Sequence, residues 1–494
     1  MKPTIIFHGN CQSLTFYVMA LRDPELRENY TLALMRISDD PEPRRQFEIL
    51  SSTPATADEL LSNCVLFLQQ KGLWEMNCGY AERLPPHCRK ISFPKLNLEL
   101  LWPFYMLRPY PRPFGIEENR RGHGDRLFHN LLRQKLPPLE TLARFMRMDI
   151  RQTLDLDRAY ELYFDKLRSL DREVDVPVAD FIEAFFRRRP LFVDPAHPFP
   201  ALCYYVAARL FRCAGILEAD LTQNWEGHLN FSPTFPIHPQ IIEHYQLTWV
   251  DHDTRYGFHA PKPYVTNIYH DGHITKEGDY GYLAGLRKHL GLPDVLPCHG
   301  REEAAERIHS LQEELAFWER QPEGPMAKTV ATWRAELLTV LGDCHRHLGD
   351  AASAKASHQQ ALALDSLPFP LLPSLVAFLE QEDRLAEAMD LLCRWTDGPN
   401  MRYLAMDEKM ALATQCTHFC QTLEKRFPDT ENPETTALLR QGLKAMDACL
   451  QKIQMAAMRQ STPPLEKIGH RLGQAGTSHG QDGRGLLWSY EPFA

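Results

Sequence analysis

The chain opens on Thr4-Ile5-Ile6-Phe7-His8, apolar through its centre, and the run stops at Gly9-Asn10. A short apolar run bounded by glycine reads as a buried strand running into a tight turn. From Gln12 to Arg22 the period changes, with Leu14, Tyr17, Val18 and Leu21 at helical spacing. Further strands are predicted at Tyr30–Ile37, Val65–Leu68 and Arg89–Phe93, with a short helix at Ala57–Leu61. Strands alternating with helices over short connections predict an α/β domain built on a parallel, doubly wound sheet over about residues 1–100. Such sheets bind ligands at the carboxyl ends of their strands, which points to the His8–Gln12 turn.

The pattern from about residue 100 to 300 is helix-rich and interrupted by proline. Pro103, Pro109, Pro111 and Pro113 forbid a long helix there, and amphipathic helices are predicted at Leu139–Met148, Leu156–Leu170, Val178–Arg187, Ala201–Leu217 and Gln240–Tyr245. Trp249 to Asp279 reads as a structured loop. Between Thr332 and Trp395 the sequence resembles itself at a period of 34, with Leu341 matching Leu375, Ala354 matching Ala388 and Ala361 matching Trp395. Small residues at these places and a Gly349-Asp350 turn predict tetratricopeptide-like helix pairs, with a generic helical hairpin bundle as the alternative. Helical pattern continues at Met410–Phe419 and Thr435–Met458, and the Gly- and Ser-rich tail after Ser461 predicts flexibility.

Composition sharpens this outline. A hydrophobic fraction of 44% and a charged fraction of 24% exclude wholesale disorder and a polytopic membrane protein. A net charge of −9 over 494 residues gives no sign of a nucleic-acid-binding surface. The 37 prolines concentrate before residue 300 and thin through the repeats, which predicts a domain boundary there. The twelve cysteines form no CxxC pair, so no zinc ribbon or thioredoxin-like motif is signalled. Cys416 and Cys420, a helical turn apart, read as buried thiols. No signal peptide or membrane span is predicted, and the cytoplasm, with reduced thiols, is the expected compartment.

Chemistry concentrates in His8-Gly9-Asn10-Cys11-Gln12. Gly9 permits the bend, Cys11 opens a helix whose amides favour a thiolate, and Asn10 and Gln12 can donate to a developing oxyanion. The alternative for Cys11 is a buried structural thiol. No Walker P-loop, HExxH or post-strand GxGxxG occurs, so ATP, catalytic zinc and dinucleotides have no support.

Gly9-Asn10-Cys11-Gln12 after the first strand resembles the WcbI-type family of bacterial capsular-polysaccharide biosynthesis proteins. So do Arg172-Glu173-Val174-Asp175-Val176 leading through Arg189-Pro190-Leu191-Phe192 to His197-Pro198, and Pro236-Ile237-His238-Pro239. The resemblance spans about residues 1–260. It implies binding of coenzyme A or acetyl-CoA and transfer of an acetyl group to the hydroxyl of a sugar or glycan acceptor. Under it, Cys11 is the candidate nucleophile and His197 the candidate base, with Asp194, three residues earlier, orienting the imidazole. Lys95, Arg188 and Arg189 are candidates for the phosphates of coenzyme A, and no metal is implied. His238, His8, Glu173 and Asp175 are weaker candidates with structural alternatives.

The expected organisation is a domain at 1–300, with an α/β core at 1–100 and a helix-rich part at 100–300, a helical-repeat domain at 301–460 and a tail at 461–494. The expected function is an acetyl-CoA-dependent acyltransferase whose repeats contact a protein partner. Two alternatives stay open. One is a non-catalytic scaffold of polysaccharide assembly. The other is an SGNH-like esterase, in which Cys11 stands where those enzymes carry serine.

Overall fold

A computed structural model describes residues 2–37, 47–71, 80–108, 122–215, 236–251, 298–364, 371–397 and 406–426, with scattered residues at 254–295 and 436–451. The tail from 461, most of the predicted Trp249–Asp279 loop and most of the Thr435–Met458 helix lie outside the described residues. The chain divides into two compact units: residues 1–103 with 155–229, and residues 104–154 with 230–462. This differs from a single boundary at residue 300.

The first unit begins with β1 (Thr4–Gly9), α1 (Cys11–Arg22), α2 (Pro24–Asn29), β2 (Thr31–Ile37), β3 (Phe47–Ser51), α3 (Ala57–Ser62), β4 (Cys64–Lys71) and β5 (Arg89–Pro94). These strands form one sheet in the order β3-β2-β1-β4-β5. β1 is fully buried at its centre, as its unbroken apolar run requires. The helices cover both faces. Ile6, Ala33, Met35 and Phe67 pack with Leu60 and Leu61 of α3 on one face. On the other, Phe7 meets Tyr17 of α1, and Phe16 of α1 meets Phe93 of β5.

The expectation of an all-parallel sheet needs correction. β2, β1, β4 and β5 run parallel, but β3 pairs antiparallel with β2 at the edge, so the sheet is mixed. The physical reason is the connection: residues 38–46 are too few for the dozen or more that a parallel crossover needs.

The chain then forms β6 (Tyr105–Arg108), β7 (Gly122–Asp125), α4 (Arg126–Leu132) and α5 (Pro138–Met146) in the second unit. It returns to the first as α6 (Leu156–Asp171), α7 (Ala179–Phe185), the hairpin β8 (Phe192–Asp194) and β9 (His197–Pro198), and α8 (Pro200–Ala214). α6 and α8 both pack on β5. Asp175 fastens the segment after α6 to the sheet: its carboxylate accepts the backbone N–H and the hydroxyl of Ser92, each at 2.7 Å. α8 ends earlier than its apolar pattern predicted because Gly215 adopts the left-handed conformation and caps it.

The second unit continues with α9 (Pro239–Tyr245), α10 (Arg301–Glu319), α11 (Ala327–Leu348), α12 (Ala351–Ala363), α13 (Leu372–Gln381), α14 (Leu385–Asp397) and α15 (Met406–Arg426). α11 with α12, and α13 with α14, make successive helical hairpins. Gly349 is left-handed at the first turn, and Asp350 caps α12 by accepting from the Ser353 amide at 3.1 Å. The residues matched at the 34-residue spacing, among them Ala354, Ala361, Ala388 and Trp395, are buried. Segments before residue 300 join this unit through specific contacts. The Gln240 amide reaches the Met148 carbonyl at 2.6 Å and its oxygen accepts from the Ile150 amide at 3.1 Å, while Arg147 bonds to Gln321 at 3.2 Å. Those contacts are why proline frequency misplaced the boundary. Among the described residues, no helix is long and apolar enough to cross a membrane.

Candidate active site

The carboxyl ends of β1, β4 and β5 lie side by side, and a buried polar network joins the turns that follow them. β1 ends at Gly9 and α1 starts at Cys11, capped by Asn10, whose side-chain oxygen accepts the Gln12 amide at 2.9 Å. Gln70, near the end of β4, accepts the Asn10 backbone N–H at 3.0 Å and donates to Gln12 Oε1 at 2.5 Å. Gln12 Oε1 also accepts the Leu96 amide at 2.9 Å, and its Nε2 donates to the carbonyls of Leu96 at 2.5 Å and Ala196 at 2.7 Å. Gly9 is required here by close approach: a Cβ on it would stand 2.7 Å from Gln70 Cβ and 2.1 Å from Ser13 Oγ.

The β8–β9 turn holds the second group. Both Asp194 oxygens bond His197 Nδ1, at 2.7 and 2.8 Å, and Oδ1 also accepts the backbone N–H of Ala196 and of His197. Asp194 is buried, whereas the His197 side chain is 12% exposed, so the imidazole stands at the edge of the interior. With Nδ1 held by the carboxylate, proton exchange with a ligand falls to Nε2. The Ala196 carbonyl taken by Gln12 belongs to the residue before His197, and Gln12 follows Cys11. Positions 12 and 196, far apart along the chain, are thereby brought into direct contact.

The other expected residues take several roles. Cys11 opens α1 through its backbone. Gln12 departs from the oxyanion role: its two side-chain N–H groups are committed to two carbonyls, which makes it a tie between turns. Asn10 caps the helix. Lys95 is half-buried at the carboxyl edge, where its amide bonds to the Lys71 carbonyl at 2.8 Å. Arg188 and Arg189 are exposed past the end of α7, with the Arg189 guanidinium 5.8 Å from the Phe185 ring centre. His8 stacks on Phe67, and burial lowers its pKa to about 4. His238 lies in the second unit, where it caps α9; burial lowers its pKa to about 3. Glu173 enters no part of the network. Among the described residues no group of three His, Cys, Asp or Glu is placed to hold a metal ion.

Sequence reasoning missed Gln70. The only signal was a polar pair, Gln69-Gln70, interrupting the end of an apolar strand.

Residues 4–218 match the family model of the polysaccharide biosynthesis enzyme WcbI. Over that stretch, the N-terminal region of this chain is similar to the WcbI family. The WcbI match runs from β1 past α8, so it contains Cys11, Gln70, Asp194 and His197 and leaves out Pro236–Pro239 and the helical hairpins. No curated protein matches the chain. A solved structure of WcbI, described as a novel polysaccharide biosynthesis enzyme and as the native protein without a disulfide bond between coenzyme A and a cysteine, covers 73% of this chain and 99% of its own. It shares 17% sequence identity, with a TM-score of 0.39.

Proposed function

We propose that this WcbI-like enzyme transfers an acetyl group from acetyl-CoA to a sugar hydroxyl of a surface polysaccharide. The observation that carries the reading is the Gln12–Ala196 hydrogen bond, which ties the turn holding Cys11 to the turn holding the Asp194–His197 pair. Cys11 attacks the thioester carbonyl, and the departing coenzyme A thiolate takes a proton from the His197 imidazolium. The acceptor hydroxyl then gives its proton to His197 as its oxygen attacks the acetyl-cysteine, and Cys11 leaves. Asp194 stabilises the imidazolium at each stage. Lys95, half-buried at the carboxyl edge of the sheet, carries the charge that the phosphates of coenzyme A would need there. Arg188 and Arg189 are outer candidates for the same phosphates.

The test is incubation of the full chain with acetyl-CoA, following coenzyme A release and the mass of the Cys11 peptide. Release with a gain of one acetyl group on that peptide supports the route, and release without the adduct points to direct transfer with His197 as base. Release that survives both Cys11→Ala and His197→Ala overturns the site.

The hydrogen-bonded Asp194–His197 pair favours ester hydrolysis as a second reading, with water as acceptor. Hydrolysis of a simple aryl acetate without coenzyme A would select it. We place the enzyme in the cytoplasm and assign the helical hairpins, read as tetratricopeptide-like, to a protein partner of polysaccharide assembly.

A further inference from the structure

Gln70 is buried, and its side chain lies on the α1 face of the sheet, in register with Phe93. Its amide has one orientation that satisfies its neighbours. Because the Asn10 N–H can only donate, it must face Oε1, and Nε2 is then aimed at Gln12 Oε1. The same logic passes to Gln12: with its oxygen taken by Gln70 and the Leu96 amide, its nitrogen must face the carbonyls of Leu96 and Ala196. The direction of one amide therefore agrees with the next: Gln70 and the Leu96 N–H both hold Gln12 Oε1, which leaves Nε2 to the Ala196 carbonyl.

We propose that Gln70 is a positioning residue that sets, through Gln12, the separation between the Cys11 turn and the His197 turn. The proposal rests on the acyl-transfer reading and adds a residue whose side chain bonds to Asn10 and Gln12. Gly9 belongs to the same device, since any side chain there would displace Gln70.

The test is Gln70→Glu beside Gln70→Met. Glutamate keeps an oxygen for the Asn10 amide but, when ionised, faces Gln12 Oε1 with a second acceptor. Protonation restores an O–H donor at that place. With acetyl-CoA as the probe, coenzyme A release by Q70E at pH 8 is expected to fall about 10- to 100-fold in kcat with KM little changed, as for a misplaced reacting group. The Q70E activity, relative to wild type at the same pH, is expected to recover as pH falls. Q70M is expected to lose as much at pH 8 and to recover nothing, and to show a higher apparent pKa for Cys11 alkylation by iodoacetamide. Wild-type kcat in folded Q70M, or a Q70E to wild-type ratio that stays flat with pH, overturns the role of Gln70. If Q70E fails to fold at pH 8, Q70M and its alkylation profile decide the matter alone. Wild-type protein that releases no coenzyme A overturns the acyl-transfer reading itself.

Discussion

Two aspartate–histidine pairs in this protein have the same chemistry and opposite settings. In the first unit Asp194 holds His197 at 2.7 Å on a hairpin turn, and the imidazole keeps an edge in solvent. In the second, Asp343 of α11 faces His358 of α12 at 3.5 Å with both side chains buried. The other Asp343 oxygen accepts from Ser374 at 2.6 Å, and Arg346 reaches Asp343 at 2.9 Å. Ser, His and Asp thus meet in the helical unit without forming a nucleophilic triad, because aspartate, not histidine, stands between the other two. The two settings share residue types and differ in access and in the order of the groups.

The largest expected effect tests that difference at its open end. His197→Ala should lower coenzyme A release from acetyl-CoA by about 10²- to 10⁴-fold with an unchanged melting curve. An equal loss from His358→Ala at unchanged stability would erase the distinction. Asp194→Asn is expected to sit below that, at about 10- to 10³-fold, because Asn keeps an oxygen for the Ala196 and His197 amides and removes the charge facing Nδ1. Chemical denaturation with the melting curve checks that the turn survives.

At the closed end the loss should be in stability. Asp343→Ala removes the acceptor of the Ser374 hydroxyl and the carboxylate facing buried His358, and is expected to cost about 2–3 kcal/mol in urea unfolding while turnover per folded molecule stays constant. Burial alone would raise the Asp343 carboxyl, but His358, Ser374 and Arg346 together hold it below its ordinary value. A lowered carboxylate contributes stability above its unfolded pKa, and that contribution is lost as pH falls through the folded value.

His8 gives the smallest effect and the same sign. Its folded pKa is lowered from 6.5 to about 4, so the unfolded chain binds the proton more readily and stability declines as pH falls from 6.5 toward 4. His8→Phe should remove about 1–2 kcal/mol of the decline measured between pH 7 and 5. A profile identical to wild type would show that His8 is not among the groups responsible.

Much of the first unit was legible in the chain. The β1 run, the glycine turn and the helix at Cys11 follow from period and from one permissive residue. Asp194-x-x-His197 was legible as a pair because three residues is the span of a tight turn. β3 was missed because Phe47–Ser51 is short, sits at an edge and leaves Ile49 and Leu50 partly exposed, so burial imposed no clean alternation. Gln12 was assigned to an oxyanion because its partners, Leu96 and Ala196, lie far along the chain and left no local mark. The helical hairpins kept their spacing, yet the unit they belong to recruits residues from before 300, which no local composition could indicate.

The sequence alone determined what depends on near neighbours: which residues alternate in and out of a strand, where glycine bends the chain, and which side chain caps the helix after it. Those choices are made within a few residues by sterics and local hydrogen bonds. Only the tertiary structure decided that the turns at residues 10 and 195 meet through Gln12, that Gln70 donates to that glutamine, and that one aspartate–histidine pair keeps an edge of its imidazole exposed while the other is closed between helices. Such outcomes depend on burial and on donors and acceptors supplied by distant segments, which the order of residues along the chain does not place.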